Sequence, residues 1–199
     1  MRYYIFIVVF MLFFSGCTMK SPSITEYRIN SKTHSNELKS TGCKDKSLKV
    51  VEAFSSSSLM SLDMNYGVDS HKQFTYSQSQ YSISPNHAVS SEILRLVKEM
   101  NIFKSVQISK SRSRNDMILE TSIDEFMQYF EDSENRSYVK IRISMTLINT
   151  KNSKVIATDT FVSRVDTKSL DAEGGVEALN IALSDVLSKS SYWLGDICK

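Results

Sequence analysis

The sequence predicts an α+β fold, a two-layer domain in which a mainly antiparallel sheet carries two amphipathic helices on one face. Val139, Ile141, Ile143, Met145 and Leu147 alternate with Lys140, Arg142, Ser144 and Thr146, the period-two pattern of a strand with one buried face and one wet face. Val89, Ile93, Leu96, Val97 and Met100 recur at helical spacing, and so do Val176, Leu179, Leu183, Val186 and Leu187. Each helix must bury its stripe, and a sheet with one apolar face supplies the place. Only 6 Gly and 2 Pro occur in 199 residues, which argues against collagenous, linker-rich or repeat-turn architectures.

The chain opens with Arg2 and an apolar run from Tyr3 to Phe14. That run is shorter than the roughly 20 residues of a spanning helix and reads as a signal peptide. Ser15-Gly16 are small enough for a peptidase, and Cys17 follows at once, so the ending resembles a bacterial lipobox, with Phe14 where Leu is usual. Such a signal implies cleavage before Cys17 and acylation of that residue by palmitate-type chains. At about 0.8 kcal/mol per buried methylene, two or three chains anchor durably where one does not. The other readings are a secreted protein with an ordinary thiol, or an uncleaved anchor. Thr18 in place of Asp favours sorting to the periplasmic face of the outer membrane over retention at the inner membrane. The expected division is residues 1–16 as signal peptide, 17–24 as lipidated tether and 25–199 as one periplasmic domain.

Removing residues 1–16 takes away one basic residue of 24 and none of the 22 acidic ones, so the remaining chain is close to neutral. A balanced charge gives no electrostatic case for nucleic acid. With 41% hydrophobic residues the chain can fill a single core. Once Cys17 is set aside, Cys43 and Cys198 remain as a pair in a compartment that permits disulfides. They are either bonded, closing a loop worth on the order of 4 to 5 kcal/mol, or two unrelated surface thiols.

In chain order, Ile24 to Ile29 alternates weakly through Tyr27 and suits a first strand, and polar residues 30–46 read as a loop with Cys43 at its tip. Leu48 to Phe54 is short, β-branched and apolar, a core strand that the serines Ser55 to Ser58 end. Leu62 to Tyr66 and Phe74 to Tyr76 flank Gly67-Val68-Asp69-Ser70, a hairpin turn by glycine's freedom at positive φ. Pro85-Asn86 opens the first helix and Asn101 stops it, after which Ile102-Phe103 plug the core before a strand at Ser105 to Ser109. Lys110, Arg112 and Arg114 sit together on the next turn. Met117, Leu119, Thr121 and Ile123 alternate, but Phe126 and Phe130 fall on the opposite parity, so a one-residue bulge near Asp124-Glu125 is expected. Asp132 to Asn135 turns into the strand around Val139 to Leu147, and Lys154 to Val165 returns. Asp171 to Gly175 introduces the second helix, which closes at Tyr192-Trp193-Leu194 just before Cys198.

The sequence holds no HExxH, CxxC, GxSxG or P-loop, and His34, His71 and His87 lie in separate contexts. No metal set, cofactor site or catalytic group is expected, so the chain reads as non-catalytic. Candidate contact residues for a partner or a lipid headgroup are Arg112 and Arg114 on the basic turn, Lys140 and Arg142 on the wet strand face, and the aromatics Phe74, Tyr76 and Tyr81.

The order of parts resembles the ABC-type transport auxiliary lipoproteins, including the PqiC-like proteins found beside MCE-domain lipid transport systems. The resemblance runs from about Ile24 to Leu194. It rests on the strand around Tyr27, Leu48 to Phe54, the Leu62 to Tyr66 and Phe74 to Tyr81 segments, and the helix to Met100. It continues through Ile102-Phe103-Lys104-Ser105-Val106, Asp116 to Phe126 and Gly174 to Leu194. It implies an outer-membrane lipoprotein auxiliary to lipid transport, with an MCE-domain protein and an ABC permease and ATPase as partners, no cofactor, and in some members a homo-oligomer. The competing reading is an envelope lipoprotein that serves as assembly or activator module for a cell-wall synthase, a secretion system or a surface organelle.

Overall fold

The computed structural model describes residues 22–32, 41–68, 71–131 and 135–199. The signal peptide, Cys17, most of the tether and residues 33–40 of the polar loop lie outside the described residues. The elements in order are β1 (Thr25–Tyr27), β2 (Ser47–Val50), β3 (Phe54–Ser55), β4 (Asp63–Val68), β5 (Lys72–Tyr81), α1 (Pro85–Met100), β6 (Ser105–Ile108), β7 (Met117–Phe130), β8 (Ser137–Asn149), β9 (Lys154–Asp166) and α2 (Ala172–Ile197).

β7 is the spine of the sheet. Along one edge it pairs antiparallel with β8 from Met117↔Asn149 to Phe130↔Ser137, and β9 follows antiparallel outside β8. Its other edge is shared by three short strands in succession: β2 at its start, β3 at Ser122 and Ile123 and β4 at Gln128 to Phe130, all parallel to it. β6 extends the first branch and β5, then β1, the second. The long ladders are therefore antiparallel, as the alternating strands predict, while the branches join in parallel. Helix α1 is the crossover between branches, the connection that parallel pairing requires.

Local chemistry explains each boundary. The expected single strand Leu48 to Phe54 is broken because Ala53 turns its N–H away to the Ser90 hydroxyl of α1 at 2.8 Å, two residues after Val51 N–H has bonded Leu119 O at 3.0 Å. The register of β7 shifts between Ile123 and Glu125, the predicted bulge, and Phe126 thereby returns to the core at 3% exposure. Asn101 ends α1 in the left-handed region at φ 49°, which an asparagine tolerates. Asp171 caps α2 by accepting the Gly174 N–H at 2.8 Å.

Gly67 does not make the β4–β5 turn. It lies inside β4 opposite Gln73 and its φ is not positive. A Cβ there would stand 2.7 Å from the Tyr129 ring, so the glycine serves a close approach between strands; Asp69 and Ser70 of the expected turn lie outside the described residues.

The core is a single layer between the sheet and both helices. Leu48, Leu119, Ile141, Ile143, Met145 and Leu147 from the sheet meet Ile93, Leu96, Leu179, Leu183 and Leu187 from the helices, each under 2% exposed. Each such burial is worth about 1.5–3 kcal/mol relative to exposure. Cys43, expected at a loop tip, is 4% exposed and is bonded to Cys198 across 155 residues. Gly42 N–H also reaches Cys198 O at 2.7 Å, so the end of α2 is fastened to the turn that precedes β2. Among the described residues no helix is long and apolar enough to cross a membrane.

Candidate functional site

Both helices cover one face of the sheet, so the opposite face is the broad surface left open. At its far end a lateral row of side chains crosses four strands. Gly67 of β4 lies under the Tyr129 ring of β7. Tyr129 stacks on Tyr138 of β8 with centroids 5.4 Å apart, and the Arg164 guanidinium of β9 caps Tyr138 at 3.6 Å. Such a cation over a ring contributes about 0.5–1 kcal/mol at an exposed site. Two carboxylates hold the row in place. Glu125 pairs with Lys140 at 2.9 Å and accepts the Tyr129 hydroxyl at 2.8 Å, while Glu131 pairs with Arg136 at 2.8 Å and Arg164 at 3.1 Å. Burial and the Glu125 carboxylate push the Tyr129 hydroxyl well above its ordinary pKa. Nearer the middle of the face, Asp124 accepts from Ser122 and Ser144, each at 2.8 Å, and Ser144 meets Thr160 at 2.9 Å.

The predicted contact residues fall into three groups. Lys140 and Arg142 do share the open face, with Lys140 tied to Glu125 and Arg142 exposed. Arg112 and Arg114 are exposed on the loop between β6 and β7. The carboxylate that begins β7, Asp116, is spent on anchoring, since it accepts the Ser47 N–H at 3.0 Å and the Ser47 hydroxyl at 2.8 Å. Those bonds, with Lys151, hold its carboxyl below the usual range. Lys49 steadies the same loop through Ser111 O at 3.0 Å.

The three aromatics do not act as one surface. Phe74 is 47% exposed and stacks on Tyr66 at 5.7 Å. Tyr76 lies 4.6 Å from Tyr66, and its hydroxyl donates to Gln128 Oε1 at 2.9 Å. Tyr81 is withdrawn from the surface: it is 3% exposed and edge-on to Phe126, with its hydroxyl pushed up by complete burial. It is a core residue because it ends β5, where the chain turns in under α1.

Gln128 is the buried polar node that sequence reasoning missed. Besides Tyr76 it bonds the Ser137 hydroxyl at 3.0 Å, which in turn bonds Thr167, and Gly175 of α2 presses against it. The tyrosine row was also missed, although it had a signal. A hairpin turning at Asp132 to Asn135 places Tyr129 opposite Tyr138, as observed. Among the described residues no three His, Cys, Asp or Glu side chains gather as a metal site.

No protein-family model matches the chain, and no curated protein matches it in sequence. Solved structures do share its fold. A protein from Xanthomonas campestris of the family DUF330 superposes with TM-score 0.78 at 16% identity, over 87% of this chain and 95% of that one. An uncharacterized protein superposes with TM-score 0.65 at 9% identity, over 86% of this chain and 99% of that one. The PelC dodecamer from Paraburkholderia phytofirmans aligns at TM-score 0.44 and 15% identity over 74% of this chain and 90% of that one, a likeness too slight to argue from. The fold is thus the one that the DUF330 protein has, an α+β sheet backed by two helices.

Proposed function

We propose that this chain is an envelope lipoprotein, tethered through Cys17 and acting as a non-catalytic docking module auxiliary to an MCE/ABC-type lipid transport system. One observation carries the reading. Of the three cysteines in the sequence, Cys43 and Cys198 are consumed in a buried disulfide, which belongs to an oxidising compartment and leaves Cys17 as the thiol for acylation. The order of parts described above supports the transport assignment, and the fold shared with the DUF330 protein supports the two-layer domain on which it rests. The open sheet face and the basic loop at Arg112 and Arg114 supply exposed surfaces for a partner or for phosphate headgroups.

The competing role is an assembly or activator module for a cell-wall synthase or secretion system, which the same surfaces fit. Two measurements separate the readings. Labelled palmitate incorporated into the full-length chain, and lost in Cys17→Ala, is expected; unlabelled wild type in a soluble envelope fraction overturns the anchor. In-cell crosslinking followed by mass spectrometry is expected to recover an MCE protein or an ABC permease. Recovery of a synthase or secretion component in its place overturns the transport role and leaves the anchor standing.

A further inference from the structure

β2, β6 and β7 begin at one end of the sheet, where β8 ends and β9 begins. Two polar turns cover that end, the β6–β7 loop at residues 109–116 and the β8–β9 turn at residues 150–153. They are joined, since Thr150 N–H donates to Asp116 O at 3.0 Å. Lys49 Nζ holds the loop through Ser111 O at 3.0 Å, and the Ser113 hydroxyl donates to Asn115 Oδ1 at 3.1 Å. A surface ordered in advance loses little freedom when it is bound.

The two turns present Arg112, Arg114, Lys151 and Lys154, all exposed. Among the described residues the side chains of Arg112, Arg114 and Lys154 meet no carboxylate. Asp116, at the root of the loop, is committed to Ser47 and stands 3.7 Å from Lys151. Cations at the opposite end are neutralised in place, Arg136 and Arg164 by Glu131 and Lys168 by Glu177. Beside the uncompensated cations lie Val155 and Ile156, 59% and 40% exposed at the start of β9. Arginine is enriched at protein interfaces and apolar groups form their centres, while the charge here calls for an acidic occupant.

We propose that this end docks an acidic segment of a partner protein, on the side of the domain away from the anchoring membrane. The placement rests on the Cys17 anchor proposed above. β1 is parallel to β5, β5 is antiparallel to β4, and β4 is parallel to β7. β1 therefore runs toward the basic end, and the tether leaves it in the opposite direction. Thr25 pairs with Ser79, next to the Gln80 and Asp63 pair, and β4 reaches the level of Phe130 at Val68. That register puts Thr25 about eight residues along β7 from Met117, or roughly 26 Å. From Cys17 to Thr25 the chain spans at most about 28 Å when fully extended. Laying the turns beyond Met117 on the anchoring bilayer would consume the whole tether, whereas a protein partner reaches them without extending it.

The test is photocrosslinking of the full-length chain in the cell envelope, with benzoylphenylalanine in place of Val155. Peptide adducts rich in Asp and Glu are expected, identified by mass spectrometry. Arg112→Gln with Arg114→Gln should lower their yield roughly tenfold, and Arg164→Gln with Lys168→Gln at the other end should leave it unchanged. Phospholipid adducts in place of peptide would assign this end to a bilayer and overturn the proposal. Peptide adducts that the loop variant leaves at full yield overturn it as well, and so does the lack of any adduct in a protein whose thermal melt matches wild type. Labelled palmitate is followed in the same samples; acidic adducts that persist with the label absent support the docking site and overturn only its placement relative to the membrane.

Discussion

Replacing both Cys43 and Cys198 by Ala removes the covalent tie between the start of β2 and the end of α2. The loop it closes spans 155 residues, and in the chain-entropy model a closure of that size is worth about 5 kcal/mol at 25 °C. Little should be lost in packing terms, because both side chains are buried as small apolar groups and Gly42 N–H still reaches Cys198 O. The assay is urea unfolding of wild type and the double variant, followed by tryptophan fluorescence from Trp193. With a slope of about 2 kcal/mol/M the midpoint should fall by roughly 2.5 M, and the melting temperature by roughly 10–20 °C. The slope itself should rise, because the unlinked unfolded chain expands. A midpoint shift under about 0.5 M with unchanged slope would refute the reasoning, since the bond would then constrain a denatured state that is already compact.

Three further outcomes rest on separate parts of the structure. Gly175→Ala sets a Cβ into Gln128 Oε1 and disturbs the Tyr76 bond at the same atom; overpacking with a lost buried hydrogen bond should cost roughly 2–4 kcal/mol, read as a lowered melting temperature. Gly67→Ala drives the Tyr129 ring toward Tyr138 and should cost about 1–3 kcal/mol, with near-ultraviolet circular dichroism of the tyrosines changing as well; an unchanged spectrum counts against the stacked row. Asp171→Ala should cost about 1 kcal/mol through the lost cap. The Gly174 N–H, then the Ser169 hydroxyl, hold the Asp171 carboxyl below its ordinary pKa, so its contribution is present above the unfolded value of about 3.9 and lost as the pH falls through the folded one. The gap between wild type and Asp171→Ala should therefore close below about pH 4 in denaturant titrations, and a gap that persists at pH 2 argues against the cap.

Local pattern was enough for much of this chain. The alternation from Val139 to Leu147, the two helical stripes, the bulge at Asp124-Glu125 and the stop at Asn101 were legible because each depends on residues a few positions apart. Burial period, a parity change and a left-handed cap are properties of the strand or helix that carries them.

Tertiary structure decided which strands meet and in what direction. β2, β3 and β4 share one edge of β7 in parallel, and no residue in those short segments encodes that choice; it follows from α1 carrying the chain across the sheet. Gly67 looked like a turn residue and proved to be a seat for Tyr129, because a glycine's missing Cβ serves a positive φ and a close approach equally well. Tyr81 looked like a contact aromatic and was buried, since amphipathic tyrosine suits either place. The pairing of Cys43 with Cys198 was open between bond and separate thiols until both ends of the domain were brought to one spot. Sequence determined the elements and their faces, where neighbours along the chain set the physics. Only packing determined the pairings, the open face and the edge of β9, because those depend on groups well separated along the chain, as far as the 155 residues between Cys43 and Cys198, and on which of them reach the same place.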